Sequence, residues 1–201
     1  MATMPTADEI RIAAIARGRA KKRKNALTAI LCGGLPAVIL GVMFPSHPAR
    51  WVTAFLLGLL WANGFEYVYH RFLLHMAGNL LARRHLLHHT SVGTLVEAEH
   101  VNLGGSPLWV ALLVVVNGTP IIIFDLLFGL GVAPGVLVAF VIYLLAAEEI
   151  HWRIHLREWL LPGLRFAKGH HLAHHERANE RFNVFLPLCD LLFGSLKSRT
   201  P

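Results

Sequence analysis

Residues 108–147 form forty residues of almost unbroken apolar sequence, divided near Gly129 into the stretches Leu108–Phe128 and Leu130–Ala147. About twenty residues cross the hydrocarbon core of a bilayer as a helix, so this length is roughly two spans. Two more apolar stretches come earlier, Ala26–Phe44 and Trp51–Phe65. The first is full length. The second is short and runs into Glu66, Tyr67, Tyr69 and His70. Gly33, Gly34 and Pro36 interrupt the first, Asn117, Gly118 and Pro120 the third, and Pro134 sits near the start of the fourth. Such breakers are tolerated in membrane helices when neighbouring groups satisfy the freed backbone. Only 15% of residues are charged and 55% are hydrophobic. A soluble domain carries about 25% charged residues, so the solvent implied here is lipid.

The joints within each pair of stretches are brief, Pro45–Arg50 and Gly129–Gly131. The sequence therefore predicts an all-α integral membrane protein, with four transmembrane helices in two hairpins. Segments Arg71–Pro107 and His151–Pro201 are polar and rich in histidine. Residues 1–25 read as a basic cytoplasmic segment, and 26–201 as one membrane domain. Seven basic residues precede the first span: Arg11, Arg17, Arg19, Lys21, Lys22, Arg23 and Lys24. Three lie in the middle segment and eight follow the last span, whereas the two turns hold Arg50 alone. Basic residues near span ends mark the cytoplasmic side. Both termini and the middle segment are thus expected there, in the inner membrane if the cell is bacterial. The histidine-rich segments then form a helical cap on one face.

The net charge of +7 does not point to nucleic acid. The basic run before the first span is better explained as a topology signal or a contact with anionic lipid. Cys32 and Cys189 form no CxxC motif or disulfide framework and read as small buried hydrophobes. No cleavable leader is expected, because the first 25 residues are polar and the first apolar run is long.

Ten of the thirteen histidines fall into four clusters: His70 and His75; His85, His88 and His89; His151 and His155; His171, His174 and His175. A neutral imidazole is the commonest metal-binding side chain. A helix turns about 100° per residue, so positions i, i+3 and i+4 share a face. Both triplets and the His151/His155 pair meet this condition. His70 and His75, five apart, diverge by about 140° on an ideal α-helix. They require a helix end between them, or they serve different metals. Ten imidazoles exceed the four ligands of a structural zinc and suit two metals, each with an open position. The order pair–triplet, pair–triplet gives one set per hairpin, which suggests a dinuclear site shared by two halves. Isolated His47 and His100 more often serve polar or packing roles. His170 and His174 are also i, i+4, so His170 competes with His171 for a place in the last triplet.

Spacing alone does not choose the metal. No HExxH zinc-protease signature is present; the nearest match reads Glu148-Glu149-Ile150-His151. Paired Glu-x-x-His motifs of carboxylate di-iron bundles are absent too, since Glu148-x-x-His151 occurs once. Metal-bound histidines commonly pass their second nitrogen to a carboxylate or carbonyl. Glu66, Glu148, Glu149, Glu176 and Asp190 are candidates for that role, with Glu148 and Asp190 preferred and His170 as a neighbour.

The ordered motifs His70-x4-His75, His85-x2-His88-His89, His151-x3-His155 and His171-x2-His174-His175 resemble the fatty acid hydroxylase/sterol desaturase superfamily of membrane di-iron enzymes. The tail Asn183–Gly194 is similar to that family's segment after the last triplet, and the likeness runs from about Trp51 to Gly194. The resemblance implies all ten clustered histidines as ligands of two iron ions, with zinc able to substitute in a purified sample. It implies O2-dependent hydroxylation or desaturation of a lipid C–H bond, in a fatty acyl chain, a sterol-like lipid or a carotenoid. The lipid substrate is expected from the bilayer, past apolar residues such as Trp61, Phe65 and Phe72. No His-Pro-Gly-Gly haem motif occurs, so a separate electron-donor protein is expected. The competing readings are a divalent-metal transporter or metal-binding membrane protein, and an inactive relative kept as a scaffold. Transport sites lie near the membrane midplane on broken helices, whereas these histidines follow the apolar runs.

Overall fold

A computed structural model describes residues 4–76, 78–102 and 105–196. Lys197 and Arg199, two of the basic residues counted above, lie outside the described residues, as do the first three residues of the basic segment. Every regular element among the described residues is helical. The chain divides into two compact units. One comprises the described residues up to Arg23, Glu66–Gly105 and those from Ala147 onward; the other comprises Lys24–Phe65 and Ser106–Ala146.

Helix α1 (Ala7–Ala29) starts well before the first apolar stretch. Its start is fixed by a capping box: Thr6 accepts from the Glu9 amide at 3.3 Å, and Glu9 accepts from the Thr6 amide at 2.7 Å. A π-helical segment, Ile30–Gly34, joins α1 to α2 (Leu35–Met43). Its wider turn precedes Pro36, which lacks the N–H for an ordinary i→i−4 bond. The basic segment and the first apolar stretch are therefore one continuous helical run rather than a tail and a span.

Three helical runs among the described residues are long and apolar enough to cross a membrane: Ala7–Met43, Pro107–Phe128 and Ala133–His155. Helix α3 (Pro48–Val68), which carries the second apolar stretch, is not among them. Asn63, Glu66 and Tyr67 dilute its C-terminal third.

In the apolar unit, α6 (Pro107–Phe128) and α7 (Ala133–His155) are joined by a tight turn. Gly129 closes α6 in the left-handed conformation, φ 61°. The buried Asp125 carboxylate accepts from the amides of Val132 and Ala133, both at 2.9 Å, capping α7. Helices α3 and α7 touch through small residues. A side chain on Gly58 would meet the Val136 backbone at 2.8 Å, and one on Gly135 would meet the Trp51 carbonyl at 2.7 Å. Small residues allow the close backbone approach on which helix packing in lipid depends. Asn63 and Tyr143 share a buried hydrogen bond of 2.8 Å across the same contact.

The histidine-bearing unit adds α4 (Leu80–Ser91), α5 (Glu97–His100), α8 (Arg165–Glu176) and α9 (Leu188–Leu192). Asn79 caps α4, accepting from the Ala82 amide at 2.9 Å. Its apolar core gathers Ala14, Ala98, Val101 and Trp152. Gly18 sits so close to this core that a Cβ would lie 2.2 Å from the Ala98 carbonyl. Part of the basic run is held by protein groups here. Arg17 pairs with Glu99 at 2.5 Å, Lys22 with Glu149 at 2.6 Å, and Lys21 donates to the Glu99 carbonyl at 2.7 Å. The run is thus more than a topology signal or lipid contact.

Candidate metal centre

All ten clustered histidines belong to this unit, and they sort into two groups of five. One contains His70, His75, His85, His89 and His174; the other His88, His151, His155, His171 and His175. Within each group the ligand atoms all lie within 4.8 Å of one another.

Local backbone geometry explains the sorting. In each triplet the first and last imidazoles, at i and i+4, point about 40° apart, whereas the middle one, at i+3, diverges from the last by about 100°. On α4, His85 and His89 therefore join the His70/His75 pair, while His88 turns to the other group. On α8, His171 and His175 join the His151/His155 pair, while His174 turns back to the first. Each group takes one pair, two members of one triplet and the middle member of the other.

His70 and His75 need neither a helix end between them nor separate metals. Tyr69–His75 is a π-helix. Its hydrogen bonds close at i+5, which brings residues five apart onto one face. The two rings lie 5.0 Å apart, centre to centre.

The ring nitrogens converge. In the first group, His85 Nε2 lies 2.9 Å from both His70 Nε2 and His75 Nε2, and His75 Nε2 lies 3.1 Å from His174 Nε2. In the second, His171 Nε2 lies 3.0 Å from Nε2 of both His155 and His175. The opposite nitrogens fix several tautomers. His70 Nδ1 donates to the Phe182 carbonyl, and His174 Nδ1 donates to the Glu180 carbonyl at 2.7 Å. Their Nε2 atoms must then be unprotonated lone-pair donors. His155 Nδ1 faces Glu97 Oε1 at 2.8 Å. Among the described residues, both nitrogens of the buried His88 lack a hydrogen-bond partner, as does Nδ1 of His171 and of His175. Buried imidazole nitrogens without partners are costly, and lone pairs converging on one point suit a cation between them.

Electrostatics favours neutral rings. Burial, and then repulsion from neighbouring imidazoles, drives His70, His85, His88 and His171 well below the ordinary histidine value. Burial pushes His75 down to about 4; burial with neighbouring histidines pushes His89 to about 4 and His175 to about 2. Burial likewise takes His174 to about 3, although its hydrogen bond to the Glu180 carbonyl opposes the shift. The deprotonated form is the one that binds metal.

The two groups share a cavity of about 330 Å3, lined by His70 and His85 from one and by His88, His151 and His171 from the other. Its remaining walls include Tyr69, Leu74, Leu81, Leu87, Val101 and Val184. In the apolar unit, Trp61 and Phe65 line a separate apolar cavity. Phe72 is exposed beside Arg71.

A family model for fatty acid hydroxylases matches residues 55–195. The chain belongs to the fatty acid hydroxylase family. The match takes in all four histidine motifs and the tail through Gly194. No curated protein and no solved structure matches the chain. Membership in this metal-dependent family makes the chain an oxidoreductase, and its long apolar helices make it a membrane protein.

The groups around the rings differ in part from those anticipated. Asp190 touches His170 at 3.2 Å rather than a clustered histidine. It is fully buried and also accepts from the amides of Phe182 and Asn183 at 2.8 and 2.9 Å and from Ser195 Oγ at 2.7 Å. Burial raises its pKa, but these donors outweigh burial and hold it below the usual value. His171 lies in the second group, and His170 faces Asp190 instead. Glu148 is buried one turn before His151. Glu66 accepts from Asn183 Nδ2 at 2.8 Å, Glu149 pairs with Lys22 and Arg153, and Glu176 is exposed. Sequence reasoning missed Glu97, 58 residues from His155, and the carbonyls of Glu180 and Phe182. Nothing local marks any of the three.

Proposed function

We propose that this chain is a membrane di-iron oxygenase that hydroxylates or desaturates a lipid C–H bond, with the ten clustered histidines holding two irons. The observation that carries this reading is the convergence of five imidazoles on each of two points, on a shared cavity within a family of lipid hydroxylases. Bound iron would supply the activation of O2 that removes hydrogen from an unactivated carbon. For hydroxylation the balance is one C–H bond, O2, two electrons and two protons in, and one C–OH and one water out. For desaturation, two hydrogens leave vicinal carbons and two waters form. The electrons come from a separate donor protein and the lipid from the bilayer.

The chain's own residues have three tasks in this scheme. The carbonyls of Phe182 and Glu180 hold His70 and His174 as Nδ1–H tautomers, leaving Nε2 free to ligate. Glu97 does the same for His155. Burial keeps the rings neutral. Four spans in two hairpins, with α3 as the shortest, and both termini in the cytoplasm complete the reading; the 18-to-1 bias of basic residues supports it.

Metal analysis of the purified protein, together with lipid profiling of cells with and without it, tests the proposal. Two irons per chain and a new hydroxyl or double bond are expected; in His88→Ala and in His174→Ala the iron content should fall and the lipid product should vanish. Unchanged lipids with altered metal uptake would favour the transporter instead. A C-terminal reporter found on the outer face would overturn the topology.

A further inference from the structure

The cavity between the two histidine groups holds one feature that metal binding does not use. Asn102 lines it, is only 7% exposed, and among the described residues has no partner for either Nδ2 or Oδ1. Leaving a buried amide unsatisfied costs about 1–3 kcal/mol per group, so an all-hydrocarbon occupant is disfavoured beside it. The charged side chains on the same wall balance, Lys21 and Arg84 against Glu66 and Glu99, so the wall itself adds no preference for an ionised head group. A carboxylate would satisfy Nδ2 but would set oxygen against Oδ1. A neutral group that both donates and accepts satisfies the two together.

Building on the oxygenase reading, we infer that Asn102 binds the polar end of the substrate, and that this end is an alcohol or an amide. The cavity volume is at the small end of ligand sites, which run roughly 300–1,000 Å3. It therefore takes the head of a lipid and the first part of its chain. The carbon presented to the histidines lies within a few bonds of the head group, which sets the position of oxidation near that end. Asn102 is a specificity-determining residue: it selects the head group and fixes the register of the chain.

The test uses full-length protein in nanodiscs, with dodecan-1-ol, dodecane and dodecanoate as probes. Binding is measured by calorimetry and corrected for uptake by empty nanodiscs. Dodecan-1-ol is expected to bind about tenfold more tightly than either other probe. Asn102→Leu should lower its affinity about tenfold, with metal content unchanged. Dodecanoate binding best, equal binding of all three, or an unaltered alcohol affinity in the variant would each overturn the inference. Should the variant fail to fold, the ranking of the three probes on the unmodified protein decides alone. Lauramide separates the two head groups: whichever of it and dodecan-1-ol binds more tightly names the class. Iron analysis of the same sample is read separately. A protein without iron that still ranks the probes this way defeats the oxygenase reading and leaves the head-group site standing.

Discussion

Asp190 touches none of the ten clustered histidines, yet its removal should empty one of the two groups. Its carboxylate holds the amides of Phe182 and Asn183, and the carbonyls of Phe182 and Glu180 hold His70 and His174. Asp190→Ala leaves two buried backbone N–H groups without acceptors. At about 1–3 kcal/mol each, the loss of stability is about 2–6 kcal/mol. The segment 180–183 is then free to move, and the two imidazoles lose the carbonyls that orient them. Loss of such outer partners lowers metal affinity about 10–100-fold. Asp190→Asn keeps one acceptor oxygen, strands one N–H, and should cost about 1–3 kcal/mol. The assay is competitive metal titration against a chelator of known affinity, with thermal unfolding followed in parallel. The first group should weaken the more, with the asparagine variant intermediate, and the group containing His155 the less. Equal weakening of both groups, or full retention of both at reduced stability, would refute the reasoning.

Glu97→Gln should produce the mirror image, weakening the group that contains His155 about 10–100-fold in the same titration and the other group less. Gly18→Ala places a methyl 2.2 Å from the Ala98 carbonyl and against Trp152, so thermal or denaturant unfolding should show a loss of about 1–3 kcal/mol. In the metal-stripped protein burial holds His75 and His89 near 4, below the ordinary 6.5, so the unfolded chain binds more protons than the folded one between about pH 4 and 6.5. Stability should therefore rise with pH across that window and fall on acidification. A melting temperature flat from pH 4 to 6.5 would contradict the burial of these rings.

The helical spacing of the triplets and of His151/His155 was legible because a regular helix fixes the direction of each side chain. The His70/His75 face was not, since a π-helix depends on tertiary support that spacing does not reveal. Nor was the exchange of His88 and His174 between groups, which depends on how α4 and α8 pack. The sequence left His170 and His171 equivalent as i, i+4 and i, i+3 partners of the same histidine. Asp190, twenty residues beyond His170, separates them only in three dimensions. The capping box at Thr6 and Glu9, found only in the structure, marks the helix that absorbs the basic segment. The stretch from Thr90 to Pro107 offered no motif, yet it supplies Glu97 to one histidine group and Asn102 to the cavity.

The exchange of middle histidines makes α4 and α8 rigid crosspieces, each clamped at two points. A rotation of α8 that brought His171 and His175 closer to one ion would swing His174 away from the other. With ions bound as proposed, neither centre could relax to suit the radius of its own ion without straining its neighbour. Filling one position would then bias the geometry of the second, and a mismatched ion in one would be felt in both.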